Sequence, residues 1–396
     1  MAAARSLRDV QETEVSIVIP CLNEADTLAI CIRKASAAME RHRIAGEVIV
    51  ADNGSTDGSV EIARREGARV VPVTTRGYGA ALMGGIDAAA GRFIVMGDAD
   101  DSYDFSDIPR FVERLRQGFD LVQGCRLESG GGRVLPGAMP FLHRWLGNPM
   151  FSALARRWFR APVNDIYCGL RGFTRDLVPR LDQRCTGMEF ATEMVIKASL
   201  IKARVCEVPI TLHPDGRRAH APHLKTFRDG WRTLRFLLLY CPRQLFLIPG
   251  LILMAIGLVG YSLALPRMTV GRVTFDAHTL LFASLAVISG YQSVSFAIFA
   301  KTFAILEGLL PADARLERFR RLVTLERGVV TGAAAAALGL ALLLGAVVQW
   351  RMRHFGSLDY ARTMRLVVPG VTVTVLGFHT ILSCFFLSLL DLRRRS

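Results

Sequence analysis

Charge is scarce in this chain. Only 21% of its 396 residues are Asp, Glu, Lys or Arg, against 51% hydrophobic, and the mean hydropathy is +0.31. So apolar a composition excludes a disordered or low-complexity protein. No two cysteines stand as a CxxC pair: Cys21, Cys31, Cys125, Cys168, Cys185, Cys206, Cys241 and Cys384 are scattered. That excludes a disulfide framework or zinc site and suits free thiols in a reducing compartment. The opening MAAARSLRDVQETEV lacks an apolar stretch ahead of its charges. No secretory leader is therefore expected, and the first part should stay cytosolic. Four windows hold no charge at all: 244–266, 277–300, 328–350 and 366–390, of 23, 24, 23 and 25 residues.

Each window exceeds the ~20 helical residues that span a hydrocarbon core, so four transmembrane helices are expected within 244–396. The net charge of +14 is lopsided in the same direction. Residues 244–396 hold 15 basic and 7 acidic side chains, residues 1–243 hold 34 and 28. An apolar tail with excess base points to an anionic membrane surface, and nucleic acid is not an expected partner. With the N-terminal part inside, the inner segments carry 16 Lys/Arg and the outer loops 267–276 and 351–365 carry 6. The bias puts both termini and the soluble part in the cytoplasm, at a bacterial inner or plasma membrane. Between the two parts, 216–243 reads as an interfacial connector. Phe227, Trp231, Leu234 and Leu238 recur at helical spacing beside Arg228, Arg232 and Arg235.

In the first 215 residues, apolar β-rich runs (15–20, 47–52, 69–73, 93–100, 120–126) alternate with helical patterns (24–41, 57–66, 79–90, 106–118). Continuous apolar strands separated by helices describe an α/β domain with a mostly parallel, Rossmann-like sheet covered on both faces. In such sheets the ligand crevice lies outside the carboxyl ends of the strands. Three of those ends are polar here: PCLNEAD, DNGSTDGS and DADDSYD. The loop RGYGAAL has Leu82 where a dinucleotide fingerprint needs glycine, and it follows the third strand, which argues against NAD(P). In DADDSYD, Asp98 and Asp100 leave a strand end one residue apart, and crowded carboxylates invite a hard cation, Mg²⁺ or Mn²⁺. The bland alternative is an acidic turn capping a helix at Ser106.

These residues resemble the GT-A glycosyltransferases of family 2, in particular the polyprenyl-phosphate glycosyltransferases of the dolichyl-phosphate mannose and glucose synthase type. Six segments match in order: SIVIPCLNEADTL, VIVADNGSTDGS, MGDADDSYD, LVQGCR, DIYCGLRGF and KARVCEVPITL. The resemblance implies a hexose transferred with inversion from a nucleotide-sugar, UDP-glucose or GDP-mannose, to undecaprenyl or dolichyl phosphate. It implies that Pro20, Glu24 and Asp52 hold the base and ribose, and that Ser55 and Asp57 support that loop. Asn23 and Gly79 complete the donor set. Asp98 and Asp100 would handle the metal and the donor diphosphate as catalytic residues. Arg126, Arg144 and one of Arg217 or Arg218 would face the acceptor phosphate. Where relatives often carry a glutamine two residues after the second aspartate, this chain has Ser102, and GRRAHAPHLKTF (with His223 and Lys225) replaces the commoner R-x-G-x-S-K.

A phosphate monoester is largely a dianion at neutral pH, so no protein general base is expected, and Glu189 and Glu193 read as structural or sugar-contacting. Guanidinium suits the acceptor clamp because it stays charged and binds phosphate oxygens bidentately. Two alternatives carry less support. A processive polysaccharide synthase would want Q-x-x-R-W before its spans, whereas QWRMR here lies at 349–353. A lipid-sugar transporter or non-catalytic scaffold would place ionisable groups mid-membrane, where these windows hold only His278 and His379. A homo-oligomer is left open.

Overall fold

The structure, a computed structural model, describes residues 13–217 and 226–392. Contacts divide the chain into two units that meet at Leu237 and Leu238, inside the expected connector. Arg218, His223 and Lys225 lie outside the described residues.

The first unit is built on β1 (Val15–Cys21), β2 (Gly46–Asp52), β3 (Arg69–Pro72), β4 (Phe93–Met96), β5 (Leu121–Cys125), β6 (Arg133–Val134), β7 (Arg171–Thr174), β8 (Val205–Pro209) and β9 (Thr211–Leu212). Seven of these strands form one sheet in the order β3-β2-β1-β4-β7-β5-β8. All its pairings are parallel except the two that β7 makes. All seven residues of β1 are buried, as expected of a strand covered on both faces. The covering helices are α1 (Leu28–Arg41), α2 (Ser59–Arg65), α3 (Tyr78–Ala88), α4 (Ile108–Arg116), α5 (Asn148–Phe159), α6 (Leu177–Leu181) and α7 (Glu189–Leu200). α4 illustrates the packing: Ile108, Phe111, Val112 and Leu115 are buried at helical spacing while its arginines stay outside.

Two expectations need correction. The fourth strand ends at Met96, not at 100, so Asp98 and Asp100 sit in the turn beyond it. The segment DIYCGLRGF carries no strand pattern, yet it supplies β7, which separates β4 from β5 inside the sheet. Gly172 packs closely there: a Cβ would lie 3.1 Å from Leu115 Cδ1 and 3.4 Å from Phe111 Cβ.

A helix α8 (Thr226–Leu239) occupies the connector, with Trp231 61% exposed. The second unit holds four helices long and apolar enough to cross a membrane: Arg243–Ala264 (its α-helical part α9, Ile248–Ala264), α10 (Ala277–Leu306), α12 (Leu325–Met352) and α13 (Tyr360–Leu392). A short polar helix α11 (Ala314–Leu322) precedes α12. α12 and α13 meet through glycines. A Cβ on Gly377 would lie 2.5 Å from Gly332 O and 2.5 Å from Ala336 N. Small residues allow such backbone approach where lipid supplies no hydrophobic drive. Gly377→Val should therefore lower the thermal stability of the detergent-solubilised chain by about 1–3 kcal/mol or more. A melting curve identical to the parent's would show that the close approach is dispensable.

Candidate active site

The loops that follow β1, β2 and β4 are wired to one another by side chains. After β1, Asn23 takes φ +60°, a conformation Asn tolerates better than most residues. Its N–H donates to Ser55 Oγ (3.0 Å) and its Oδ1 accepts from Thr56 N (2.8 Å). Next to it, Glu24 N donates to Ser59 Oγ (2.9 Å) and Ala25 N to Asp57 Oδ2 (2.9 Å). Asp52, buried at the end of β2, accepts from Gly54 N (3.1 Å) and Ser55 N (3.2 Å), closing its own turn. Thus Asn23, Glu24, Asp52, Ser55 and Asp57 converge beside the buried Pro20 at the carboxyl ends of β1 and β2.

Asn53, which the sequence reading passed over, pins the next loop. Its Nδ2 donates to Val73 O (3.0 Å) and Thr75 O (2.8 Å), and its Oδ1 accepts from Gly77 N (2.8 Å). At Gly79, expected in the donor set, a Cβ would meet Cys185 O at 2.4 Å and Phe190 Cβ at 2.8 Å, so its bare Cα also lets the 185–190 segment close in. Glu193 holds the same segment from below, accepting from Arg184 N (3.0 Å) and Cys185 N (2.9 Å) and pairing with Lys197 (2.8 Å). So engaged, it has a structural part.

The acidic run divides by partner. Asp104 accepts from Ser106 N (3.0 Å) and caps the turn before α4, the bland role anticipated for the whole run. Asp101 pairs with Lys34 of α1 (2.8 Å). Asp98 and Asp100 remain for the crevice. Tyr78 OH, the first residue of α3, donates to Asp98 Oδ1 at 2.8 Å. Asp100 is 9% exposed; its Oδ1 accepts from the Ser102 hydroxyl (2.6 Å) and its Oδ2 from Arg217 Nη2 (2.5 Å). Among the described residues no third Asp, Glu, His or Cys joins the two into a metal-ligand cluster.

Burial, and then the neighbouring Asp100 carboxylate, push Asp98 up to about 6, while Tyr78, Arg217 and Arg126 pull it down. A carboxyl whose pKa is raised on folding binds its proton more tightly in the folded state. Stability of the metal-free chain therefore falls as pH rises from the usual carboxylate range through about 6. Asp98→Asn removes that cost, so in excess chelator above pH 6 it should melt higher than the parent, by on the order of 1–3 kcal/mol. Equal melting temperatures at pH 5 and pH 8 in both proteins would contradict this.

The arginines are placed differently from one another. Arg126, one residue past β5, is buried and grips Asp165 in a fork: Nε to Oδ2 at 2.7 Å and Nη2 to Oδ1 at 2.9 Å. Burial works against its charge, but the Asp165 carboxylate holds its pKa well above the usual arginine value. Its Nη1 also reaches Tyr103 OH (3.5 Å), and its charge is felt at Asp98. Glu207 of β8 in turn fixes the Asp165 loop by accepting from Asn164 N (2.6 Å) and Asp165 N (3.1 Å). Arg144 lies in a π-helical turn beside exposed Phe141, Trp145 and Leu146, pairs with Glu128 (2.7 Å) and stacks on Trp145. Arg217 joins the carboxylate pair directly. The structure thus gathers Asp98, Asp100, Arg126 and Arg217 in one electrostatic neighbourhood. Arg144 stands on a separate aromatic surface.

Comparison with known proteins shows what the chain is similar to. Residues 16–181 match the family model "Glycosyl transferase family 2", and 298–391 match "Glycosyltransferase family 2 C-terminal transmembrane region". The chain is 37% identical to the low-salt glycan biosynthesis hexosyltransferase Agl6 of Haloferax volcanii, over 94% of this chain and 88% of that one. It is 34% identical to a dolichyl-phosphate hexose transferase of the same organism, over 46% of this chain and 76% of that one. It is 30% identical to the undecaprenyl-phosphate 4-deoxy-4-formamido-L-arabinose transferase of Pseudomonas aeruginosa, over 70% of this chain and 81% of that one.

Proposed function

Because the chain belongs to glycosyltransferase family 2, we propose that it transfers a hexose from a nucleotide-sugar to a polyprenyl phosphate, inverting the anomeric centre. The observation that carries this reading is one cluster beyond β4, in which Arg217 Nη2 lies 2.5 Å from Asp100 Oδ2, Arg126 reaches Tyr103, and Asp98 feels the charge of both arginines. Four apolar helices on the same chain and the names of the relatives support a lipid acceptor.

The donor's nucleoside would lie over the joined loops of β1 and β2, where Asn23, Glu24, Asp52, Ser55 and Asp57 converge. Asp98 and Asp100 would hold Mg²⁺ or Mn²⁺. Their chemistry fits such an ion: two hard carboxylate donors one residue apart beyond β4, which would leave its other positions to diphosphate and water oxygens. When bound, the ion would neutralise charge developing on the departing nucleoside diphosphate. The acceptor needs no protein base, since a phosphate monoester is largely deprotonated at neutral pH. It does need cations, because a dianion attacking beside a diphosphate is otherwise repelled. Arg126 is preset for that task by Asp165. Arg217 is a second cation within reach of the same carboxylates, and Arg144, among exposed aromatics, would meet the acceptor at the headgroup layer. The Lys/Arg bias supports a cytoplasmic catalytic unit with both termini on that side.

Screening labelled UDP- and GDP-hexoses against undecaprenyl phosphate with the purified chain tests the proposal and names the sugar. UDP-glucose and GDP-mannose are the expected leading donors. A β-linked lipid phosphate should form from an α-linked donor. An α-linked product would overturn the single displacement.

A further inference from the structure

Both carboxylate oxygens of Asp100 are engaged. Its Oδ1 accepts from both the backbone N–H (3.0 Å) and the hydroxyl (2.6 Å) of Ser102, and its Oδ2 from Arg217 Nη2 (2.5 Å). Arg217 is held from two more sides, with Nε 3.1 Å from Asp215 Oδ1 and 3.4 Å from Glu24 Oε2, and its side chain is 12% exposed. The strand-like stretch that brings it there is tied down as well. Gly216 N donates to Asp100 O (2.9 Å) and His213 N to Ser102 O (2.9 Å). A Cβ on Gly216 would press on Thr27 Cγ2 at 2.9 Å. A guanidinium thus sits among Glu24, Asp100 and Asp215, at the strand end where the proposed reaction needs a divalent ion.

We propose that Arg217 is an internal stand-in for that ion: it balances Asp100 until a metal–nucleoside diphosphate arrives, then yields Oδ2 and turns to the acceptor's phosphate. This rests on the proposed reading of Asp98 and Asp100. Oδ2 is the less occupied oxygen of Asp100, so an incoming cation meets it there, beside the Arg217 guanidinium and against its charge. The guanidinium can withdraw at little cost, because it keeps Asp215 and Glu24 as partners while it moves. A divalent ion also offers the crowded carboxylates more charge than one guanidinium does. The diphosphate that comes with it adds negative charge nearby, which keeps the released cation in the crevice. The exchange sets an order of binding, donor first and acceptor second, because the acceptor's phosphate gains Arg217 only after the donor has freed it.

The test is Mn²⁺ binding by the full chain in detergent, without nucleotide, read by the loss of free-ion electron paramagnetic resonance signal. Arg217→Gln should bind Mn²⁺ about tenfold more tightly than the parent. Arg217→Lys, which keeps a competing charge, should restore weak binding, and Asp100→Asn should bind none. In steady-state kinetics Arg217→Gln should raise KM for polyprenyl phosphate severalfold while KM for the donor does not rise. Equal or weaker Mn²⁺ affinity in Arg217→Gln, with Asp100→Asn still abolishing binding, would overturn the stand-in role and leave the metal site standing. Undiminished Mn²⁺ binding by Asp100→Asn would instead overturn the metal site, and the stand-in role with it.

Discussion

Asp100→Asn should leave a folded, membrane-inserted protein whose turnover is lower by on the order of a hundredfold to a thousandfold or more. The fold survives because the amide oxygen still accepts from Ser102, and Arg217 keeps Asp215 and Glu24. What disappears is one of two negative charges at the end of β4. Burial, the larger cause of the raised Asp98 pKa, stays, but the repulsion from Asp100 goes, so Asp98 should titrate somewhat closer to an ordinary carboxylate in the variant. Metal binding by the nucleotide-free chain is lost at the same stroke, because an amide oxygen is a poorer ligand for a hard cation than a carboxylate. Turnover at saturating Mg²⁺ or Mn²⁺ and a melting curve in the same detergent separate the two effects. Near-parental turnover, or full parental activity in excess chelator, would contradict the assignment.

The second large effect is expected at Arg126, where catalysis and folding are entangled. Arg126→Ala should nearly abolish transfer, but it also strands Asp165, which is fully buried, without its cation. Breaking a buried pair from one side costs about 3–5 kcal/mol. Loss of activity in that variant is therefore ambiguous by itself. Arg126→Gln combined with Asp165→Asn resolves it, since two amides can face each other where the fork now lies and neither is left charged. The double variant should recover most of the lost stability and remain inactive. Arg126→Lys keeps the charge but reaches one carboxylate oxygen where the fork reaches two, so it should be clearly impaired with donor affinity little changed. If the stable double variant transfers sugar at the parental rate, Arg126 has only a structural part, and Arg217 takes over the acceptor's phosphate.

The features that could be read from the sequence are those set by local pattern. Strands buried on both faces, such as Val15–Cys21 and Leu121–Cys125, are continuous apolar runs, and the four uncharged windows coincide with helices that begin and end near their flanking charges. Pairing at long range was not legible. Nothing local distinguishes Asp98 from Asp101, whose partner Lys34 lies 67 positions away, and a serine two residues on follows Asp100 and Asp104 alike, although only Asp104 caps a helix. Asn53, Tyr78, Asp165 and Glu207 were passed over for the same reason: each acts through a partner 20 to 43 positions distant. Their one available signal is position, since Asn53 lies in a polar strand end and Asp165 opens a matched segment; Tyr78 and Glu207 carry no such signal. β7 escaped because RGFT has neither alternation nor an apolar run; its burial comes from neighbours on both sides, and Gly172 lets them close in.

In the proposed reaction the acceptor is a lipid monophosphate whose own charge replaces a protein base. Purified chain should be given its nucleotide-sugar, divalent metal and either polyprenyl phosphate or the matching polyprenol, and lipid-linked sugar measured directly. Transfer to the phosphate at neutral pH, with none to the alcohol and no donor consumed in its absence, is the expected result. Equal transfer to the alcohol, or growth of a polysaccharide without any lipid phosphate, would contradict it.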